Sequence, residues 1–443
     1  MRPTAAVAVA LSLLAPAAHA NGRFPMSNQI AKSPALPTTL MVRTSFGVLL
    51  STDAGQSFSW ICEPVIGYGG TQDPGVALFS DGSMAVAAFE GLSVSHDGGC
   101  TWEQVTENGL GGQYVIDVAA ERDRPERGVV VTSTGISPGE YYVQAYETTD
   151  SGRGWTKLGA QLESDLLSET IDVAPSNPSR LYVSGVSGEG DLRVGVLARS
   201  ADRGATWSRT TLKLEGDESV FVAGVDPTED RRVYLRTRGV DDRLLVSEDA
   251  GVTFRELGRT TGAMTGFAVE PTGERVAFGG PMSGLFLGPR TATTIPKLGP
   301  QTSVCLFWAG EGLYACGADY TDGFVVGRSG DAGATFAPVL PKLSSIKGPL
   351  TTCAPGSKYE QLCAPIWPSM SALFGSNAGG AGGSSGSPAG GGAGAPAAAP
   401  ASDDGGSCGC RAPRSEGARA AWVAVLAGLG LAAARRRRIT GRR

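Results

Sequence analysis

An eight-residue pattern, Ser/Thr-x-Asp-x-Gly-x-(small)-aromatic, occurs six times in the chain. It begins as Ser51-Thr-Asp53-Ala-Gly55-Gln-Ser57-Phe58 and returns as Ser95-His-Asp97-Gly-Gly99-Cys-Thr101-Trp102. Thr148 to Trp155, Ser200 to Trp207, Ser247 to Phe254 and Ser329 to Phe336 complete the set. The aspartates Asp53, Asp97, Asp150, Asp202, Asp249 and Asp331 are 44, 53, 52, 47 and 82 residues apart. The last interval is about double the others, so a unit lacking the pattern is expected between Asp249 and Asp331. Phe267-Ala-Val-Glu-Pro-Thr-Gly, Arg275-Val-Ala-Phe and Gly284-Leu-Phe-Leu supply its strands. Repetition at this period is the mark of a repeat architecture, and seven units result.

Each unit also carries a strand–turn–strand signature upstream of the pattern. Ile171-Asp-Val-Ala-Pro-Ser-Asn-Pro-Ser-Arg-Leu-Tyr-Val aligns with the segment from Val225 and with that from Val269; the segment from Ile116 aligns more weakly. One further strand leads into the pattern and one leaves it. Four short strands per unit predict an all-β, seven-bladed β-propeller. In the hairpin turn between third and fourth strands, the Asp and Ser/Thr side chains bond backbone N–H groups. The glycine takes a backbone angle that a Cβ opposes, and the aromatic ring packs beneath the turn. The six aspartates therefore read as structural rather than catalytic. The pattern resembles the boxes of the BNR/Asp-box superfamily, which spans sialidases, the sortilin luminal domain and photosystem II assembly factors. The resemblance covers roughly residues 25–345 and implies the propeller fold.

The ends read differently. Arg2, an apolar run from Ala5 to Leu14 and Ala18-His19-Ala20 form a secretory signal over 1–20, with the mature chain starting at Asn21. The propeller is assigned to 21–345 and an extension to 346–374. Residues 375–406 are almost only Gly, Ala, Ser and Pro, 12 of 32 being glycine, which predicts a flexible linker. Residues 407–443 hold Cys408-Gly-Cys410, an apolar run from Ala420 to Ala434 and the cluster Arg435 to Arg438. That run reaches about 22 Å as a helix, short of a ~30 Å hydrocarbon core. The tail resembles the MYXO-CTERM sorting signal of myxobacterial surface proteins. The resemblance implies processing or lipidation near Cys408 and Cys410, a sorting protease as partner, and anchoring at the outer cell surface.

Outside the ends, residues 21–400 hold 28 basic and 40 acidic residues. That balance argues against nucleic acid, and against membrane contact other than through the tail. The six body cysteines pair in sequence order as Cys62–Cys100, Cys305–Cys316 and Cys353–Cys363, one of fifteen possible connectivities. No cofactor or metal is expected: no Cys-x2-Cys occurs, and His96 is the mature chain's only histidine. His-based triads are thereby excluded, leaving carboxylate, tyrosine and arginine chemistry.

Candidate ligand residues fall in the second-to-third-strand loops and inter-blade links, opposite the aspartate turns. They are Arg43, Tyr68, Asp73, Glu90, Arg236 and Arg238, accompanied by Tyr141, Tyr142, Glu189, Asp191, Asp319 and Tyr320. Mixed acids, arginines and tyrosines suit a sugar or a peptide. Sialidases carry Phe/Tyr-Arg-Ile-Pro at the propeller start, whereas Gly22-Arg23-Phe24-Pro25 has the order changed. The sequence therefore favours a monomeric, non-catalytic module that binds an extracellular glycan or protein. A sialidase-like exo-glycosidase is the alternative.

Overall fold

A computed structural model describes residues 25–69 and 72–376. The signal segment, nearly all of the linker and the 407–443 tail, with Cys408 and Cys410, lie outside them. The described residues form seven blades, each built on four strands here called a to d from inside out. Blade 1 comprises Ser27–Ala31, Leu40–Thr44, Gly47–Ser51 and Ser59–Ile61; blade 2 comprises Gly75–Leu78, Met84–Ala88, Gly91–Ser95 and Glu103–Gln104. Blade 3 comprises Val115–Ala120, Gly128–Thr132, Ala145–Thr148 and Thr156–Lys157; blade 4 comprises Leu167–Val173, Leu181–Ser187, Val194–Ser200 and Ser208–Leu212. Blade 5 comprises Ser219–Val225, Val233–Arg238, Arg243–Ser247 and Arg255–Arg259. Blade 6 comprises Gly266–Val269, Arg275–Gly280, Gly284–Pro289 and Lys297–Gly299; blade 7 comprises Cys305–Ala309, Gly312–Cys316, Val326–Ser329 and Ala337–Leu340. The a strands neighbour one another all the way round, blade 7 meeting blade 1.

Composition follows from this stacking. The b strands Leu40–Thr44, Met84–Ala88 and Gly128–Thr132 are buried throughout, because neighbouring blades cover both faces. The outer strands Glu103–Gln104 and Thr156–Lys157 are exposed and polar, which blunts their edges. Blade 6, which lacks the aspartate pattern, is complete as a four-stranded sheet. There Arg290 ties the c–d turn to blade 5, pairing with Asp226 at 2.9 Å and Glu229 at 3.1 Å.

The seams depend on the glycine of each aspartate turn. In five blades a Cβ there would run into an apolar side chain of the preceding blade: Gly55 faces Val339, Gly99 Ile61, Gly152 Val94, Gly251 Leu197 and Gly333 Leu285. In blade 4, Gly204 packs on Leu158 in the same way. These glycines have φ between +81° and +95°. The residue before each is also left-handed, and there Ala54, Ala250 and Ala332 are accepted at φ +60°, +65° and +56°. Bareness is thus required at the second position only.

Two additions depart from the four-strand repeat. Blade 3 carries an extra hairpin, Thr134–Ser137 with Glu140–Tyr142, between strands b and c. After blade 7 the chain returns to blade 1, where Gly348–Pro349 adds a fifth strand parallel to Ser59–Trp60. Helices Lys358–Cys363 and Trp367–Ser376 follow. Tyr359 is buried and donates from its hydroxyl to the Trp60 carbonyl, while Trp367 lies 5.4 Å from the Trp60 ring and Phe374 5.0 Å from Phe46.

This return corrects two of the cysteine pairs. The bonds are Cys62–Cys363 and Cys100–Cys353, not Cys62–Cys100 and Cys353–Cys363; the third is Cys305–Cys316. Cys62 follows the outer strand of blade 1 and Cys100 sits in the aspartate turn of blade 2. Each is bonded to the returning segment, which passes both, rather than to the other. The two bonds span 301 and 253 residues and clasp the ring after its last blade.

Two outcomes check this account. With Cys100–Cys353 intact the loop freed is about 50 residues, so by the chain-entropy relation opening the 62–363 bond as a double serine variant should cost roughly 4 kcal/mol, against roughly 3 kcal/mol for the short 305–316 loop. Chemical denaturation of the two variants measures both. Gly251→Ala should cost about 1–3 kcal/mol through its left-handed angle and the Leu197 contact, whereas Gly98→Ala, open to solvent, should cost less.

Candidate functional site

The aspartate turns define one face of the ring, and their carboxylates are spent on the turns themselves. Asp249 Oδ1 accepts from Ser247 Oγ (2.8 Å), Val252 N (3.0 Å) and Thr253 N (2.9 Å), and Oδ2 from Thr253 Oγ1 (2.7 Å). Ser247 Oγ in turn accepts from Gly251 N at 2.7 Å. The bonds from the preceding Ser/Thr hydroxyl and from the fourth following N–H recur around Asp53, Asp97, Asp150, Asp202 and Asp331, and the hydroxyl bond to Oδ2 in all of these but Asp150, where Gly154 holds the small position. Hydrogen bonds from Ser57 hold Asp53 down at about 2, and those from Thr206 and Thr335 do the same for Asp202 and Asp331. His96, in the blade 2 turn, bonds Ser83 Oγ through Nδ1 at 2.8 Å. A small indentation on this face is lined by Glu121, Arg122, Arg124 and Pro178. Glu121 is engaged there by Arg124 and Arg203, each at 2.5 Å.

On the opposite face the sequence candidates separate into two groups. Arg43 is 8 % exposed and lies in the seam of blades 1 and 2. Its Nε donates to Asn28 Oδ1 (2.7 Å), and Nη1 to the carbonyls of Asp73 (2.9 Å) and Pro74 (3.0 Å). Asp73 accepts from Asn28 Nδ2 at 2.9 Å, so Arg43, Asn28 and Asp73 lock the innermost strand to the blade 1–2 link. Tyr68 lies in the core beside Val65 and Ile66. Glu90 is exposed and accepts from Gln72 Nε2 at 2.8 Å. Glu189 and Asp191 stand exposed on the blade 4 b–c loop; Asp319 and Tyr320 lie on the short helix Asp319–Asp322 of blade 7. Tyr141 and Tyr142 are half-buried on the blade 3 hairpin.

Arg236 and Arg238 belong to a second group, at the mouth between blades 4 and 5. Strand alternation places both on the face of blade 5 that Phe221 occupies, and Arg236 is the direct cross-strand partner of Phe221. The guanidiniums lie 4.1 and 5.6 Å from the Phe221 ring centre. Arg236 Nη1 is 4.0 Å from Asp242, and Arg238 Nε is 3.4 Å from Glu218. Asp242 is buried, accepts from Gly239 N and Met264 N (both 2.8 Å), and is raised by that burial. Arg243 closes the rim, paired with Asp217 (2.7 Å) and Glu215 (2.6 Å).

The residue that sequence reasoning missed is Glu169. It sits at a β-bulge in the innermost strand of blade 4, where the register slips between Ser168 and Thr170. A bulge re-aims a side chain, and here it buries an acid in the seam, 6 % exposed, with Ser219 Oγ donating to it at 2.8 Å. Burial raises its carboxyl, opposed by the Ser219 bond and by the charges of Arg238, Arg236 and Arg193. An acid inside Leu167-Ser168-Glu169-Thr170-Ile171, otherwise apolar or small, was the available signal. The cluster is a set of arginines each placed against an acid, with Glu169 and Asp242 both enclosed, a fixed array of donors and acceptors suited to polar groups such as sugar hydroxyls or peptide amides.

Two more acids stitch the inner strands. Asp117 accepts from Ile171 N of blade 4 at 3.1 Å and from Val118 N at 2.9 Å; Asp172 accepts from Val173 N at 2.8 Å and from Val225 N of blade 5. Burial pushes Asp117 up to about 7 and Asp172 up to about 6. Among the described residues no group of three His, Cys, Asp or Glu is placed to hold a metal ion.

No family model matches the chain. A stretch of 125 residues is 32% identical to xyloglucanase Xgh74A of Acetivibrio thermocellus, covering 26% of this chain and 15% of that enzyme. The chain thus spans under a sixth of that relative's length. Among solved structures, an ancestral GH74 enzyme superimposes with a TM-score of 0.50 at 13% identity, over 70% of this chain and 46% of that one. YCF48 bound to a D1 peptide gives a TM-score of 0.45 at 14% identity, over 66% of this chain and 89% of that one. At 13% identity the likeness to the GH74 enzyme shows the fold alone.

The two classes of acid make a pH prediction. The aspartate-turn carboxyls are lowered in the folded state, so their contribution is present above about pH 4 and lost as pH falls toward 2. Asp117 and Asp172 are raised, so the folded state binds the extra protons and these groups destabilise it as pH rises from about 4 to 7. The melting temperature should peak near pH 4–5 and fall on both sides, as calorimetry across pH 2–8 would show.

Proposed function

We propose that the chain is a secreted, surface-anchored, monomeric propeller that binds an extracellular ligand without catalysis, at the face opposite the aspartate turns. The observation that carries this reading is the mouth of blades 4 and 5. Arg236 and Arg238 are stacked on Phe221, and Glu169, Asp217 and Asp242 each accept hydrogen bonds from fixed protein donors. Acids held this way favour rigid recognition over proton exchange with a substrate. Signal segment, linker and tail supply export and tethering in this reading, with the tail cysteines as the site of processing.

A second reading has one specific observation behind it, the 125-residue match to a xyloglucanase. In that reading the mouth takes a glucan, and Glu169, raised by burial, is the proton donor. This shifts the glycosidase alternative from sialosides toward a xyloglucan-like polymer.

The test is turnover against capture. The mature chain should release no reducing sugar from xyloglucan and no fluorophore from sialosides, while a glycan and peptide array retains it. Arg236→Ala should lower that retention at least tenfold while the chain stays folded, with a modest fall in melting temperature from the lost Phe221 and Asp242 contacts. Sugar release that disappears in Glu169→Gln would replace the binding reading with the hydrolase.

A further inference from the structure

The five most exposed large apolar side chains among the described residues are Val240 (91%), Leu192 (82%), Met282 (73%), Tyr320 (71%) and Ile136 (64%). They are not scattered. Each sits on the b–c connection of a different blade: Ile136 in blade 3, Leu192 in blade 4, Val240 in blade 5, Met282 in blade 6 and Tyr320 in blade 7. They therefore stand on one face of the ring, one per loop over five successive blades, around the mouth described above. Single exposed hydrophobics are ordinary, but a set recurring at one topological position is not.

Blade 1 shows what such a position accepts. Its b–c turn carries Phe46, which is 7% exposed, because the returning segment covers it with Phe374 at 5.0 Å. The covering helix, Trp367–Ser376, presents Trp367 and Phe374 to this region. In blade 2 the position holds Phe89, half-buried against Tyr114 at 5.9 Å. Where the chain meets its own b–c turn, then, the occupant is a polypeptide segment with apolar side chains.

Charge specifies the partner further. Within four residues of the exposed tips lie Glu140, Glu189, Asp191, Asp241 and Asp319. The nearby cations are directed inward: Arg238 toward Glu218, Arg243 toward Asp217 and Glu215, and Arg193 toward Glu169. We infer that the b–c loops of blades 3–7 form a docking surface for a polypeptide segment whose apolar side chains are flanked by lysines or arginines. The acidic rim steers such a segment and repels anionic lipid. The inference rests on the binding reading above and names its partner class.

Fluorescence anisotropy of the mature chain with three labelled 16-residue peptides, Leu/Lys, Leu/Glu and Ser/Lys, tests it. The Leu/Lys peptide should bind at least tenfold tighter than the other two. Leu192→Ser, Val240→Ser, Met282→Ser and Tyr320→Ser combined should remove that advantage with the melting temperature kept, since all four side chains are solvent-exposed. Val252→Ser with Leu298→Ser, outside these loops, should leave it intact. Equal binding of Ser/Lys, or undiminished binding by the loop variant, overturns the inference. So does retention on neutral phosphatidylcholine vesicles that the loop variant abolishes, which assigns the face to lipid. Peptides failing while the glycan array retains the chain overturn this inference alone; failure of both removes the binding reading as well.

Discussion

Each seam of the ring turns on the contact between a bare glycine and the blade before it. The contact needs a turn that cannot flex, because a left-handed glycine has more backbone freedom to lose than any other residue. The aspartate supplies that rigidity from within eight residues: its two oxygens bond the Ser/Thr before it and the backbone and hydroxyl after it. The turn then presents its glycine to Val339, Ile61, Val94, Leu158, Leu197 or Leu285 of the neighbouring blade. Blade 6 reaches a comparable end by a different route, with Arg290 bridging to Asp226 and Glu229 of blade 5. A local hydrogen-bond set and a charged bridge are thus interchangeable solutions to one packing problem.

Seven equivalent seams leave the first-to-last junction without a covalent continuity of its own. The four inner-to-outer strands of blade 1 all come from the start of the chain and those of blade 7 all from its end, so neither blade's four-strand set borrows from the other. The returning segment answers this by adding a strand to blade 1 and two disulfides that join it to blades 1 and 2. Long-range bonds of this kind restrict the unfolded chain more than the hairpin bond Cys305–Cys316 does. Bonds of this kind persist in oxidising compartments.

The fold was legible because its determinants are local and repeated. Six aspartate patterns at near-constant spacing specify the blade, and even the blade without one was recoverable from the doubled interval. The cysteine pairing was not legible, because it depends on where the chain travels after residue 340. Proximity in sequence misled for Cys62 and Cys100, and succeeded for Cys305 and Cys316, which face each other across one hairpin. The mouth was half legible. Arg236 and Arg238 are visible as charges in an apolar strand, but Glu169 depends on a bulge that no residue type announces. Arg43 looked like a ligand group for the same reason that it is a structural one: a lone arginine in a buried strand needs partners, and Asn28 and the blade 1–2 link supply them.

The two faces consequently answer to different demands. On the aspartate-turn face almost every conspicuous side chain is consumed by a turn or a seam, so its composition follows from folding. On the other face the blade 1 and blade 2 turns pack aromatic side chains, Phe46 and Phe89. The b–c loops of blades 3–7 are tied to the inter-blade links by polar groups such as Asp242, Ser283 and Asp322, vary in length, and in blade 3 grow into a separate hairpin. Folding places no demand there for apolar tips, and exposure of five of them works against solubility. A set of residues that stability does not require, at one topological position, on the face that also carries the stacked arginines, is accounted for by a partner that covers it.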